Sequence, residues 1–271
     1  MKLTPTTLRD RLAGSDRTLV GLWACSGSPL VAEILAGSGV DWLLIDMEHS
    51  ANTLSSVLAQ LQAVAAYPVA PVVRVPYGDD VILKQVLDIG AQNVLVPMVS
   101  SAEQARELVA AVRYPPRGRR GVGSSLSRSA RWNRVEGYLA AADDHVSLIV
   151  QVESAEAVEN AAEIAAVDGV DGVFVGPADL AASLGVLGQQ AHPDVVAAVQ
   201  RTFAAVRAAG KPVGVNAFDP VAADGYIDAG AEFIAVAADV SMLARGSEAL
   251  ASRFIPVPEP GDTDESSRAA Y

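Results

Sequence analysis

The run Ser147-Leu148-Ile149-Val150-Gln151-Val152-Glu153 is followed, after one helical segment, by Val170-Asp171-Gly172-Val173-Phe174-Val175-Gly176-Pro177-Ala178-Asp179. Each run is apolar enough for a strand buried on both faces of a parallel sheet. Each ends in a carboxylate just where strand gives way to helix. Glu153 and Asp179 are thus one βα unit apart, and that spacing sets the reading of the rest of the chain.

Outward from this unit the pattern repeats. Strand-like runs are expected at Thr18–Ala24, Trp42–Asp46, Val69–Val75, Asn93–Pro97, Ser147–Glu153, Gly172–Gly176, Pro212–Asn216 and Phe233–Ala237. Amphipathic segments lie between them. Leu54, Val57, Leu58 and Leu61 share one helical face, as do Val195, Val199, Phe203 and Val206. Pro193-Asp194 and Asp219-Pro220 are helix starts. Eight βα repeats predict an α/β fold, a single-domain (β/α)8 TIM barrel over residues 1–254, with a polar tail at 255–271. A doubly wound sheet is the alternative. It lacks support after the first strand, where Trp23-Ala24-Cys25-Ser26-Gly27-Ser28 stands instead of a Gly-x-Gly-x-x-Gly turn.

The chain has 271 residues and a formal charge of −12, which argues against binding nucleic acid or anionic membranes. A single cysteine, Cys25, cannot form an intrachain disulfide and fits a reducing compartment. No run reaches the length of a membrane span, and Met1–Thr7 lacks the apolar stretch of a signal peptide. A cytoplasmic protein is the expectation.

Barrel chemistry sits at the carboxyl ends of the strands. Those ends carry Trp23, Asp46 with Glu48 and His49, Arg74, Pro97 with Met98, Gln151 with Glu153, Gly176 to Asp179, Asn216, and Ala237 to Asp239. Glu153 and Asp179 are hard oxygen ligands suited to a divalent metal held partly by water and substrate. Either residue alone could be a helix-start acid. Gly176-Pro177-Ala178-Asp179 lets backbone approach a ligand and opens a helix whose free N–H groups suit a carboxylate. Lysine is absent from the strand ends, since Lys2, Lys84 and Lys211 lie elsewhere. A Schiff-base mechanism therefore lacks its residue, and carbonyl chemistry would use a metal.

His49 directly follows a strand end and can serve as a base; a plain loop histidine fits its position equally well. Arg74 stands in an apolar strand, where a guanidinium needs an anion. That anion is either an enolate or a carboxylate of Asp46 or Glu48. Cys25 reads as a small buried residue. Residues 113–134 hold seven arginines and no acid. Subunit salt bridges are one reading of most of these, and Arg120, in the Gly-rich turn, is the candidate for facing a substrate.

These residues resemble the HpcH/HpaI family of class II pyruvate aldolases. The resemblance runs to about Phe254 and includes Gly21-Leu22-Trp23, Asp41 to Asp46 with Glu48-His49, and Pro71-Val72-Val73-Arg74. It continues through Leu95-Val96-Pro97-Met98, Arg120-Gly121-Val122-Gly123, Val150-Gln151-Val152-Glu153 and Gly169 to Leu180. It implies cleavage of 4-hydroxy-2-oxo acids to pyruvate and an aldehyde, with Mg²⁺, Mn²⁺ or Co²⁺ held by Glu153 and Asp179. It implies His49 as base, Arg74 as enolate stabiliser and Asp88 as the group that raises the basicity of His49. Gln151, Ala178, Asp179 and Trp23 would bind substrate, and the assembly would be a homo-oligomer, a hexamer. Read from spacing alone, Asp88 pairs instead with Lys84 on a helix surface. The chain departs from the family pattern at Met47, Asn216-Ala217 and Ala237-Ala238. The alternatives are an acyl-CoA lyase of the citrate lyase β or malyl-CoA lyase type, and a non-catalytic barrel that binds a 2-oxo acid.

Overall fold

The structure is a computed structural model that describes residues 7–255. Eight parallel strands close into a barrel in chain order. They are β1 (Leu19–Ala24), β2 (Trp42–Asp46), β3 (Ala70–Arg74), β4 (Asn93–Val96), β5 (Ser147–Val152), β6 (Gly172–Val175), β7 (Val213–Asn216) and β8 (Phe233–Ala238). Every expected strand is present, within two residues at each end. The expected tail at 255–271 lies, apart from Ile255, outside the described residues.

Side chains alternate across each strand, so one set fills the barrel and the other meets the helices. The interior is built on Trp42, Phe174 and Phe233, whose ring centroids lie 5.7 to 6.2 Å apart. Leu8, on the short helix Leu8–Ala13, joins this inner cluster, and its N–H donates to Asn93 Oδ1 at 2.6 Å. These groups fill the barrel below the mouth, so a ligand can enter only from the carboxyl ends. The outer cluster is aliphatic and includes the stripe Val195, Val199, Phe203 and Val206 of the helix Pro193–Ala208.

Helix starts are fixed locally. Thr53 and Ser56 form a capping box, and Asp219 Oδ1 accepts the N–H of Ala222 at the start of Pro220–Asp228. The cap of Pro193–Ala208 is His192, whose Nδ1 accepts the N–H of Asp194.

The last helix, Asp239–Phe254, buries Asp239 alone. Leu243, Leu250 and Phe254 are all exposed. The helix follows β8 in sequence but does not seal against the barrel.

Candidate active site

β2 and β3 pair in register so that Asp46 lies opposite Arg74. Both side chains point into the mouth. Arg74 donates from Nε to Asp46 Oδ1 and from Nη2 to Asp46 Oδ2, each at 2.8 Å, and its Nη1 lies 2.9 Å from Glu48 Oε2. The guanidinium is buried and rests on the Trp23 ring at 4.4 Å. Burial works against its charge, but the Asp46 bonds and the charges of Asp46, Glu48 and Glu153 outweigh it, and its pKa is raised. Two of its five N–H bonds are committed to Asp46 and the Glu48 contact is ionic, so N–H bonds remain for a substrate oxygen. Both ion-pair partners considered for Arg74 are therefore real.

Across the mouth, β5 presents Gln151 and Glu153 on one face. Glu153 Oε1 accepts the backbone N–H of Met98 at 2.7 Å, and Oε2 accepts from Gln151 Nε2. Glu153 is 2% exposed and has no ion-pair partner among the described residues. Burial pushes its carboxyl up to about 7; the Met98 and Gln151 hydrogen bonds oppose this, and the charges of Glu48 and Asp179 add to it. Gln151 Oε1 is buried with no partner.

Gly176 closes the same corner. A Cβ there would stand 2.6 Å from Glu153 Oε2 and 2.9 Å from Gln151 Nε2. The helix Pro177–Ser183 begins at that glycine with no side-chain cap, so the N–H groups of Ala178 and Asp179 stay open. Asp179 is exposed, and its charge reaches both Glu48 and Glu153.

This corner fits a divalent cation. It has a buried carboxylate whose pKa burial raises, a second carboxylate near enough for its charge to add to that rise, and an orphaned buried amide oxygen. Among the described residues no cluster of three or more His, Cys, Asp or Glu is arranged to hold a metal. Two protein carboxylates with water and substrate completing the shell is the arrangement hard cations accept.

His49 stands on the loop after β2, largely exposed, with Nε2 3.9 Å from Glu48 Oε2. No lysine reaches the mouth among the described residues. Lys84 sits on the helix Asp80–Asp88, and Lys211 Nζ donates to Val170 O beyond the opposite face. Burial, then the Asp46 and Asp239 charges, push the Cys25 thiol up to about 12, and the residue reads as a buried structural thiol.

Two expectations meet a different geometry. Asp88 is paired within the chain with neither His49 nor Lys84; its Oδ1 accepts from Arg120 Nη2 at 3.0 Å. Arg120, expected to face a substrate, has a fully buried side chain lying on the Tyr114 ring. The other loop arginines are spent in the same way. Arg117 pairs with Asp143, Arg119 with Asp80 and Glu107, and Arg128 donates to Ile89 O. The charge of this segment goes into holding the loop against the barrel.

Two strand-end residues named in the sequence were given no role there. Asp239 accepts the N–H groups of Cys25 and Ser26, which ties the loop after β1 to the end of β8. Met98 supplies its amide to Glu153 from a left-handed backbone, with φ at 57°.

Residues 19–246 match the family model described as HpcH/HpaI aldolase/citrate lyase. The chain belongs to this family. It is 52% identical over 240 residues to the 4-hydroxy-2-oxo-heptane-1,7-dioate aldolase of Salmonella dublin, covering 89% of this chain and 91% of that protein. A crystal structure of an HpcH/HpaI aldolase/citrate lyase family protein from Burkholderia cenocepacia J2315 aligns with a TM-score of 0.87 at 45% identity, covering 91% of this chain and 98% of the other. The HpcH/HpaI aldolase of Desulfitobacterium hafniense DCB-2 aligns with a TM-score of 0.81 at 31% identity, over 90% and 96% of the two chains. The HpcH/HpaI blocks quoted above fall inside the matched region and surround the barrel mouth.

Proposed function

We infer that this chain is a metal-dependent class II aldolase that reversibly cleaves 4-hydroxy-2-oxo acids to pyruvate and an aldehyde. The observation that carries the reading is the convergence of Glu153, Gln151, Arg74 and the Gly176–Asp179 strap on one mouth that no lysine enters among the described residues.

Glu153 and Asp179 would hold the cation, with Mg²⁺, Mn²⁺ and Co²⁺ as candidates. Once bound, it would polarise the 2-oxo group and offset the charge that develops there. The substrate carboxylate would rest on the open N–H groups of Ala178 and Asp179. Gln151 would orient the 2-oxo group. His49 takes the proton from the C4 hydroxyl. The C3–C4 bond breaks, the aldehyde leaves, and the electron pair passes into the pyruvate enolate. The N–H bonds of Arg74 that Asp46 does not hold then face a growing oxyanion, and Asp46 and Glu48 hold the guanidinium still for it. Protonation at C3 completes pyruvate. Trp23 supports Arg74 from below. Asp88 acts in this reading through Arg120 and the loop that Arg120 anchors.

The reading extends to a homo-oligomer, a hexamer by resemblance. The exposed Leu243, Leu250 and Phe254 support it, together with Leu126 and Trp132 on the loop after residue 113. Light scattering should give a mass near six times the 28.0 kDa chain; a monomer contradicts this part. Among the described residues no helix is long and apolar enough to cross a membrane. A cytoplasmic setting is proposed on the single unpaired Cys25.

The test is cleavage of a 4-hydroxy-2-oxo acid by metal-loaded protein, with pyruvate measured as it forms. Release that stops on chelation and leaves no borohydride-trapped adduct supports the reading. Full turnover after chelation, or a trapped pyruvate adduct, contradicts it.

A further inference from the structure

Behind Arg74 lies a buried polar network that the chemistry above does not use. The β1–β2 pairing stops with Ala24 opposite Ile45, one residue short of Asp46. Past that point the two strand ends are joined by Asn52, buried on the loop after β2. Asn52 Nδ2 donates to Asp46 O at 2.7 Å and to Ala24 O at 3.3 Å. The Ser50 hydroxyl donates to the same Asp46 carbonyl.

The orientation of the Asn52 amide is itself fixed. Its Oδ1 accepts from Gln60 Nε2 at 2.6 Å and from Ser56 Oγ at 2.8 Å. Gln60 stands on the helix Leu54–Ala63 and is fully buried. With both donors on the oxygen, the amide nitrogen has to face the strand ends. Buried and bonded on both sides, the group is rigid.

Both strand ends that Asn52 joins hold Arg74. β2 ends in Asp46, whose carboxylate takes two N–H groups of the guanidinium. β1 carries Trp23, the ring on which that guanidinium rests. The loop that Asn52 closes also carries Glu48, the remaining partner of Arg74. Glu153, Gln151 and the Gly176–Asp179 strap come from the ends of β5 and β6, across the mouth.

We propose that Asn52 is a positioning residue for Arg74, one that clasps the ends of β1 and β2 so that the guanidinium is aimed at the enolate oxygen. The proposal rests on the aldolase reading above. A donor stabilises developing charge best when its direction is set before the charge appears. Without the clasp the two strand ends move relative to each other, and Arg74 keeps its partners but loses its aim. The loss falls on the rate of enolisation. Metal and pyruvate binding rest on the β5–β6 side and are spared.

The test is a double-mutant cycle read by pyruvate C3 proton exchange in D₂O with metal-loaded protein. Each rate is divided by the number of metal sites that calorimetry counts, so unfolded protein does not enter. Exchange also leaves out His49, which shares the loop but serves the C4 hydroxyl in the proposed mechanism. Asn52→Ala should lower kcat for exchange about tenfold, the scale of one lost hydrogen bond. KM for pyruvate and metal affinity should stay within about twofold of wild type, the limit of additive scatter. In an Arg74→Ala background the same change should alter exchange by less than about twofold, because no donor is left to aim. Gln60→Met removes one of the two donors on Asn52 Oδ1. It should lower kcat about threefold with the same dependence on Arg74, and it carries the cycle if Asn52→Ala does not fold. An equal fractional loss in both backgrounds, an unchanged kcat in the folded variant, or a loss confined to KM or metal affinity overturns the proposal. Absent exchange in wild type contradicts the aldolase reading, whereas wild-type exchange with an additive cycle contradicts the Asn52 proposal alone.

Discussion

Met98 holds Glu153 in place from a left-handed backbone: its N–H donates to Glu153 Oε1 at 2.7 Å while its φ is 57°. This conformation costs a non-glycine residue about 1–2 kcal/mol. The side chain itself is half exposed, so its loss is cheap. Met98→Gly should keep the bond and hold metal as wild type does. Met98→Val puts a β-branched residue at positive φ, where it is a genuine outlier. Metal affinity by calorimetry should then fall by roughly tenfold, and Tm should fall with it. Equal behaviour of the two variants would show that the amide is not what positions Glu153.

Glu153 also sets a pH dependence. Its folded-state pKa, about 7, lies above its ordinary 4.5. A raised carboxyl stabilises the fold fully below the unfolded value, and that stability is lost as pH rises through about 7. Metal-free protein should therefore lose stability between pH 5 and pH 8, by roughly 3 kcal/mol from this group. Protons and cation compete for the same carboxylate, so the rise in Tm on adding metal should be largest above pH 7 and shrink below it. Glu153→Gln should flatten both trends. A metal-induced shift that grows toward pH 5 would contradict this assignment.

The Asp88–Arg120 pair predicts a stability effect. Asp88→Asn leaves a buried guanidinium without its counter-charge, which should cost ~2–3 kcal/mol in urea unfolding. Activity at a temperature where the variant is folded should fall far less than in His49→Ala. A variant of wild-type stability with a displaced pH–rate profile would instead favour action through His49.

The fold was legible because strands buried on both faces read as apolar runs, and Ser147–Val152 and Gly172–Val175 lie within one residue of those runs. The carboxyl ends followed from the barrel, and with them Arg74, Gln151 and Glu153. The partner of each charge was less visible. Sequence shows that Arg120 carries charge, but its partner Asp88 lies on another element and meets it only through the path of the loop. Left-handed backbone at Met98 leaves no mark in the sequence, since methionine has no preference for it. The helix Asp239–Phe254 follows β8 where a barrel helix would stand, yet its apolar side chains stay exposed. Periodicity gives the face and cannot name what the face meets.

His49 and Arg74 should fail differently. In the proposed mechanism His49 serves the C4 hydroxyl, so His49→Ala should lose aldol cleavage. In the same mechanism Arg74 serves the enolate, so Arg74→Ala should lose cleavage and pyruvate C3 proton exchange together, each by roughly 10²–10³-fold, the loss typical of one oxyanion donor. Wild-type exchange in Arg74→Ala would reduce the residue to a holder of Asp46 and Glu48.

The central claim is that Glu153 and Asp179 together create a metal-dependent enolising site for pyruvate. Its most direct test is C3 proton exchange of pyruvate in D₂O, followed by NMR as metal is titrated into chelator-treated protein. The account predicts no exchange above background without metal, saturable exchange with Mg²⁺, Mn²⁺ or Co²⁺, and none in Glu153→Gln or Asp179→Asn at any metal concentration used. Undiminished exchange in metal-free wild type, or in either variant, would contradict it.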